Sequence, residues 1–125
     1  MFDVFKKYDL KQAISGYLRK LGPALLKRYG STDQYTVKQV EKTIRALGLE
    51  QQYIPYAIAM YRHDQSVNTL SLYRIDQDFL DILREEIADF LFGGSTIYDA
   101  RDVIKLNKKY AWRGGRSMIR VPYLF

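Results

Sequence analysis

The chain has 125 residues, of which 47% are hydrophobic and 27% charged, so it can bury one packed core and is not a low-complexity or disordered chain. It contains no cysteine, which excludes disulfides, thiolate metal sites and a thiol nucleophile. Its formal net charge is +6.

The charge is unevenly distributed, because two basic ends flank an acidic middle. Residues 1–30 carry seven Lys or Arg against two Asp, and residues 31–104 carry seven against twelve acids. Residues 105–125 carry six Lys or Arg and no acid. Such a chain can attract an anionic partner, or its ends can lie against the middle, within one molecule or between two.

The first apolar pattern predicts an amphipathic helix that Asp9 caps and that Gly22–Pro23 ends or kinks. A shorter helix from Pro23 to Tyr29 should follow and end at Gly30. The basic side of the first helix would also suit an anionic membrane surface, although a bundle needs the apolar side for its core. The apolar positions of the first helix are Leu10, Ala13, Ile14, Tyr17, Leu18 and Leu21.

Two further helices are predicted in the middle of the chain. Thr36 and Gln39 form a capping box at the start of one helix, and Gly48 ends it. Its outer face would suit nucleic-acid recognition, but the same cap and stripe serve any bundle helix. Residues 51–63 form the next helix, with Pro55 in its first turn. Residues 67–73 alternate in polarity and predict a short strand or an extended connector.

Residues 77–92 predict a strong helix that Gly93–Gly94 ends. Three carboxylates recur every four residues on one of its faces, which is either a solvated face or a strip that binds a cationic partner, including the protein's own basic ends. No metal is expected there, because the carboxylates are strung along the helix and do not converge. The strip comprises Asp81, Glu85 and Asp89.

Ser95 or Thr96 should cap a last helix, whose first turns carry Asp99 and Asp102 and whose end is basic. Gly114–Gly115 then breaks the chain before an extended apolar tail. This basic segment is either a nucleic-acid contact, with tyrosine and tryptophan as stacking surfaces, or the solvated end of a helical domain. The candidate residues for an anionic partner are Lys105, Lys108, Lys109, Trp112, Arg113, Arg116 and Arg120.

Catalytic signatures are missing from the sequence. His63 is the sole histidine, and its neighbour Asp64 does not make a triad without a nucleophile and the right geometry. No HExxH, GxSxG or P-loop pattern occurs. We therefore expect no catalysis and no cofactor. A small-molecule pocket between helices stays an alternative, with a polar lining of Tyr53, Tyr56, Tyr61 and His63.

Several stretches in the first half of the chain resemble small uncharacterised bacterial helical proteins of unknown function, of the kind found among mobile integron gene-cassette products. These stretches are FDVFKKYDLKQAI, LGPALLKRYG with YTVKQVEKTI, and YIPYAIAMY. The resemblance implies a small bacterial accessory protein and carries over no catalytic or binding residue.

Taken together, the sequence predicts an all-α protein with one domain spanning residues 1–125, a compact bundle of five to six helices. The opening residues lack the apolar stretch of a secretion signal, and no run is long enough to span a bilayer, so we expect a cytoplasmic protein without membrane insertion. The expected function is that of an accessory or adaptor protein that binds a protein partner or itself, with nucleic-acid binding as the alternative.

Overall fold

The structure, a computed structural model, describes the backbone of residues 2–64 and 75–114 and the side chains of residues 9–64 and 75–107. Helices and loops make up this part of the chain, without a strand, which confirms the all-α fold. The segment 67–73 and the tail from residue 115 lie outside the described residues. The elements are α1 (Phe2–Gly16), a π-helical turn (Tyr17–Leu21), α2 (Gly22–Tyr29), α3 (Val37–Leu47), α4 (Ile54–Tyr61), α5 (Gln77–Leu91) and α6 (Ala100–Gly114).

The first two helices form one continuous helical run. The sequence predicts an end or a kink at Gly22–Pro23. The structure has a π-helical turn directly before this pair, in which the Gly22 N–H bonds the Tyr17 carbonyl five residues back. Proline has no N–H to donate to the preceding turn, and the wider turn accommodates that loss. The expected N-cap is also wrong, because Asp9 lies inside α1 and not before it.

At Gly22, side chains of α4 and α6 lie close to the backbone of this run. A Cβ atom at Gly22 would lie 2.7 Å from the Tyr61 hydroxyl oxygen and 3.3 Å from Ile104 Cγ1. The Tyr61 hydroxyl donates a hydrogen bond of 2.7 Å to the Tyr17 carbonyl, which also accepts the Gly22 N–H. Burial raises the pKa of Tyr61, so its hydroxyl stays a neutral donor.

The sequence signals at α3 and α4 are confirmed. The Gln39 N–H donates to Thr36 Oγ1 over 3.0 Å, and the Thr36 N–H donates to Gln39 Oε1 over 2.9 Å. Gly48 ends α3 with a φ of 66°. Pro55 lies in the first turn of α4, where its missing N–H costs nothing.

The core of the described chain is built around α4. This helix packs against α3, α5 and α6, while α2 packs against α3 and α6. A helix that is apolar on every side belongs in an interior, and α4 has that composition. Its buried residues are Ile54, Ala57, Ile58, Ala59, Met60 and Tyr61.

The cap of α6 differs from the prediction. Neither Ser95 nor Thr96 caps the helix. Asp99 does, because the Asp102 N–H donates to Asp99 Oδ1 over 3.1 Å and the Asp99 N–H to Asp102 Oδ2 over 2.9 Å. The Ala100 N–H bonds the Asp33 carbonyl over 3.0 Å, so a contact distant in sequence fixes where the helix begins.

Candidate functional site

The three carboxylates of the predicted strip lie together on the outer side of α5. Asp81, Glu85 and Asp89 are exposed, while the opposite side of the helix packs on α4. Four residues of α-helix rise about 6 Å, so neighbouring carboxylates follow one another at that spacing. The side facing the core carries Leu80, Leu83, Ile87, Ala88 and Leu91.

These carboxylates form no ion pair among the described side chains, although the buried guanidinium of Arg84 interacts electrostatically with Asp81. The ion pairs there join Arg45 to Glu41, His63 to Asp33 and Arg101 to Asp99. Asp81 Oδ1 accepts a hydrogen bond of 2.8 Å from Gln77, which is uncharged. No cation therefore lies within ion-pair distance of the strip in the described part of the fold.

Two large apolar side chains are exposed beside the carboxylates. Ile82 is 54% exposed and Phe79 is 39% exposed, although both belong to a helix that buries a full apolar stripe on its other side. We call Phe79, Asp81, Ile82, Glu85 and Asp89 the α5 face. Carboxylates around exposed apolar carbon suit a partner surface that offers both cations and apolar groups.

Glu86 lies beside this face but is engaged within the protein. The Tyr56 hydroxyl donates a hydrogen bond of 2.5 Å to Glu86 Oε2 and so ties α4 to α5. Burial and the neighbouring Glu86 carboxylate raise the pKa of Tyr56. Position 86 carries a carboxylate like its neighbours, and no local pattern in the sequence reveals this long-range bond.

Sequence reasoning also missed Arg84, which is 5% exposed. Its guanidinium lies 3.8 Å from the centre of the Tyr98 ring and donates hydrogen bonds to four backbone carbonyls. A signal was present, because position 84 falls between Leu80 and Ile87 on the apolar side of α5. The bonded carbonyls belong to Ala59, Arg62, Thr96 and Tyr98.

The basic segment at the chain end is only partly described. Lys105 is exposed on α6. The backbone of α6 continues through Lys108, Lys109, Trp112 and Arg113, but their side chains are not among the described ones. Arg116 and Arg120 lie entirely outside the described residues.

The fold brings α6 beside the first basic helices. Asp33, just after α2, bonds the first residue of α6, and Ile104 lies against Gly22 at the start of α2. These two contacts make α6 antiparallel to α2, so its later, basic residues follow the π-helical turn and its Arg19 and Lys20. The two basic stretches of the sequence therefore lie on neighbouring helices.

The four polar residues predicted to line a small-molecule pocket lie in different environments. Tyr61 is completely buried and uses its hydroxyl inside the core, whereas Tyr53 packs edge-on against Tyr56, with ring centres 6.2 Å apart. His63 Nε2 lies 3.6 Å from Asp33 Oδ2 rather than pairing with Asp64. Tyr61 thus belongs to the core, and the structure does not bring these four residues to one lining.

Neither a cluster of metal ligands nor a membrane-spanning helix occurs among the described residues. No three or more histidine, aspartate or glutamate side chains converge there as a metal ion would require. None of the helices there has the length and apolar character needed to cross a bilayer.

The fold and its surface define a small all-α protein with an acidic helical face on one side and adjacent basic helices elsewhere. The chain belongs to a family of unknown function, DUF6559, which matches residues 5–120. No curated protein and no solved structure matches the chain.

Proposed function

We propose that this protein is a non-catalytic accessory or adaptor protein that binds a cationic macromolecule through the α5 face. The observation that supports this is the exposed row of Asp81, Glu85 and Asp89, none of which forms an ion pair among the described side chains. Like charges spaced along one helix repel one another, and a basic partner removes that cost. Ile82 adds apolar area that would be buried on binding.

The setting we propose is that of a small bacterial cytoplasmic protein of the gene-cassette kind. The resemblance of the first half of the chain supports this setting. A protein partner is favoured over nucleic acid for the α5 face, because a phosphate backbone would be repelled by its carboxylates.

The test uses a fluorescent, helical Lys/Leu peptide as the cationic probe and measures its anisotropy on titration with protein. The triple variant D81N/E85Q/D89N should weaken binding about tenfold, since each exposed ion pair contributes roughly 0.2–1 kcal/mol. Raising the salt concentration should weaken wild-type binding as well.

The matched control removes three carboxylates outside the α5 face, in D33N/E41Q/D102N. This variant has the same net charge as the first and should bind within about twofold of wild type, because distant exposed charges are largely screened. Equal losses in both triple variants would show that net charge alone attracts the peptide and would refute the assignment to α5.

A second candidate function is nucleic-acid binding by the adjacent basic helices. The antiparallel packing of α6 along α2 and the π-helical turn supports it, because the helix that carries Lys105 lies next to the helices that carry Lys20 and Lys27. Neighbouring cations on two helices offer a track for phosphates.

That candidate is tested by following Trp112 fluorescence during titration with mixed-sequence single- and double-stranded DNA and RNA at two salt concentrations. Binding should fall steeply with salt and weaken when Arg113 and Arg116 are changed to Gln. A flat signal, with unchanged mobility of the nucleic acid in a gel, would rule the candidate out.

A further inference from the structure

A recess lies between the second half of α1 and the loop that joins α3 to α4. Its volume is about 380 Å³, within the range of small-ligand sites. The buried residues Ala13 and Tyr17 lie beneath it, and exposed polar residues surround it. The lining consists of Asp9, Gln12, Ala13, Gly16, Tyr17, Gly48, Leu49, Glu50 and Gln52.

The charge of this lining selects the class of ligand. Among the described side chains it holds two carboxylates, from Asp9 and Glu50, two amides, from Gln12 and Gln52, and no lysine, arginine or histidine. An ammonium group has three donors and no acceptor, which matches carboxylate and amide oxygens. An anionic ligand would instead meet two negative charges without a cation to answer them.

Tyr17 gives the recess a fixed base. Its hydroxyl donates a hydrogen bond of 2.5 Å to the Glu50 carbonyl, which fastens the α3–α4 loop to α1. Burial and the nearby Glu50 carboxylate raise the pKa of Tyr17, so the phenol stays neutral and keeps donating. Glu50 is thereby held on the side of the recess opposite α1.

No steric constraint requires a glycine at position 16. Its φ of −62° and ψ of −42° are ordinary helical values that any residue adopts, and a Cβ atom there would meet nothing within 4 Å. Glycine is among the least favourable residues in a helix interior, and alanine would fit without a clash. The space that a side chain would occupy is the recess itself.

The backbone at this point is also unusual. The π-helical turn begins at Tyr17, directly after Gly16, and π turns inside helices are frequently found at functional sites. One turn of the chain thus combines a recess large enough for a ligand, an anionic lining and a glycine that the local backbone does not require.

From these features we infer that the recess binds a free, small organic ammonium ion, such as a short alkylamine or diamine. Asp9 and Glu50 hold the ammonium group, the amides of Gln12 and Gln52 offer further acceptors, and the absence of a side chain at Gly16 leaves room for the alkyl part. This site shares no residue with the α5 face, so each proposal stands or falls separately.

The experiment titrates the full chain with putrescine and with butylamine and follows binding by calorimetry and ligand-observed NMR. Both amines should bind saturably, and butanol, which has the same carbon chain as butylamine and no charge, should not. Asp9→Asn combined with Glu50→Gln should weaken amine binding at least tenfold.

A second variant separates loss of the site from loss of the fold. Gly16→Leu should fill the recess and weaken amine binding at least tenfold while the thermal midpoint stays equal to or above that of the wild type. Ser15→Leu adds the same side chain one residue earlier, outside the lining, and should leave binding unchanged.

Three outcomes would overturn the proposal. One is the absence of saturable binding of either amine by the wild type. Another is binding that neither the double variant nor Gly16→Leu reduces. The third is binding of a lysine-containing peptide without binding of the free amines, which would assign the recess to a protein side chain instead.

Discussion

Arg84 holds three segments of the chain together from a buried position on α5. Its guanidinium donates to the carbonyls of Ala59 at 3.0 Å, Arg62 at 2.8 Å and Thr96 at 3.3 Å, and also to that of Tyr98. Burial lowers its pKa, an effect that the nearby Tyr98, Asp81 and Asp99 oppose. The end of α4 and the loop before α6 are thus both fastened to α5.

Changing Arg84 to Met should lower the free energy of unfolding by about 2–4 kcal/mol, because four carbonyls lose a donor in a place that water reaches poorly. Arg84→Lys should be nearly as harmful, since an ammonium lacks the planar fork that serves several acceptors at once. Urea denaturation followed by circular dichroism measures both.

Arg45→Met is the control for this effect. Arg45 pairs with Glu41 at 2.9 Å, but its side chain is 58% exposed, so the loss should stay below about 1 kcal/mol. If Arg84→Met cost no more than Arg45→Met, the buried guanidinium would not be holding these segments together.

At the scale of the element, the start of α6 depends on Asp99. Although partial burial raises the pKa of its carboxyl, hydrogen bonds from Arg101 and Asp102 lower it overall from the reference value of 3.8. A carboxylate with a depressed pKa stabilises the fold above its unfolded pKa, and that contribution disappears as the pH falls through the folded pKa.

Asp99→Ala should therefore lower the unfolding free energy by about 1 kcal/mol at neutral pH, as the loss of an N-cap does. The difference from wild type should shrink as the pH is lowered below the reference value of 3.8. Chemical denaturation at a series of pH values measures it. Ser95→Ala, at the position first expected to cap the helix, should change stability by less than about 0.5 kcal/mol. A larger loss in Ser95→Ala than in Asp99→Ala would reverse the assignment of the cap.

The caps show how far the sequence determines the elements. The pair Thr36 and Gln39 predicts the start of α3 correctly, because both partners of a capping box lie within four residues. The segment before α6 offers Ser95, Thr96 and Asp99 in succession, and local chemistry does not choose among them. The choice depends on the bond between the Ala100 N–H and the Asp33 carbonyl, which no local pattern contains.

The candidate sites divide in a similar way. Helical periodicity placed Asp81, Glu85 and Asp89 on one exposed face, because a regular spacing fixes a face. The same periodicity puts Arg84 on the buried side of α5, whereas a charged side chain is normally expected in solvent. Its burial becomes understandable only from the four carbonyls that accept its hydrogen bonds, and the sequence does not show them. The recess beside Gly16 forms because α1 packs against the α3–α4 loop. Helical periodicity predicts which side of a helix is buried, but it does not predict which element packs against that side.

At the scale of the molecule, the acidic and basic faces belong to different parts of the bundle. α5 packs on α4, whereas the helices that carry Lys20, Lys27 and Arg28 pack with α3 and α6. These three basic residues are exposed. The buried apolar residues form one cluster between these faces, although the single domain over residues 1–125 stays a prediction.

Separate complementary faces predict head-to-tail self-association, in which the α5 face of one copy meets the basic helices of the next. Wild-type mass should rise with concentration at low salt and fall back as salt is added. The variants D81N/E85Q/D89N and K20Q/K27Q/R28Q should each be monomeric, because each has lost the charge of one of the two faces. An equimolar mixture should give a complex with one copy of each, since one working pair of faces remains. Light scattering measures all four samples.

A mixture of the two variants that stays monomeric, or a wild type that stays monomeric at high micromolar concentration, would contradict this arrangement. Binding of the cationic peptide to the α5 face would be unaffected by that result. The partner of the face would then be another protein.

The π-helical turn has a consequence for how the chain tolerates insertions and deletions. Ala13, Tyr17, Leu21 and Leu25 are all buried, although a four-residue step in a regular α-helix rotates about 40° past each full turn. The wider turn advances less per residue and brings the later positions back toward the core. The extra residue therefore keeps the two halves of a long helix in phase. Removing one residue between Tyr17 and Leu21 would restore a regular helix and leave Ala13 and Leu25 separated by a rotation only about 20° from three full turns. The buried stripe would then stay on one side of the helix, so this turn should tolerate a single-residue deletion. The same deletion in a regular helix such as α5 would rotate its two ends by about 100° relative to each other and expose part of the stripe.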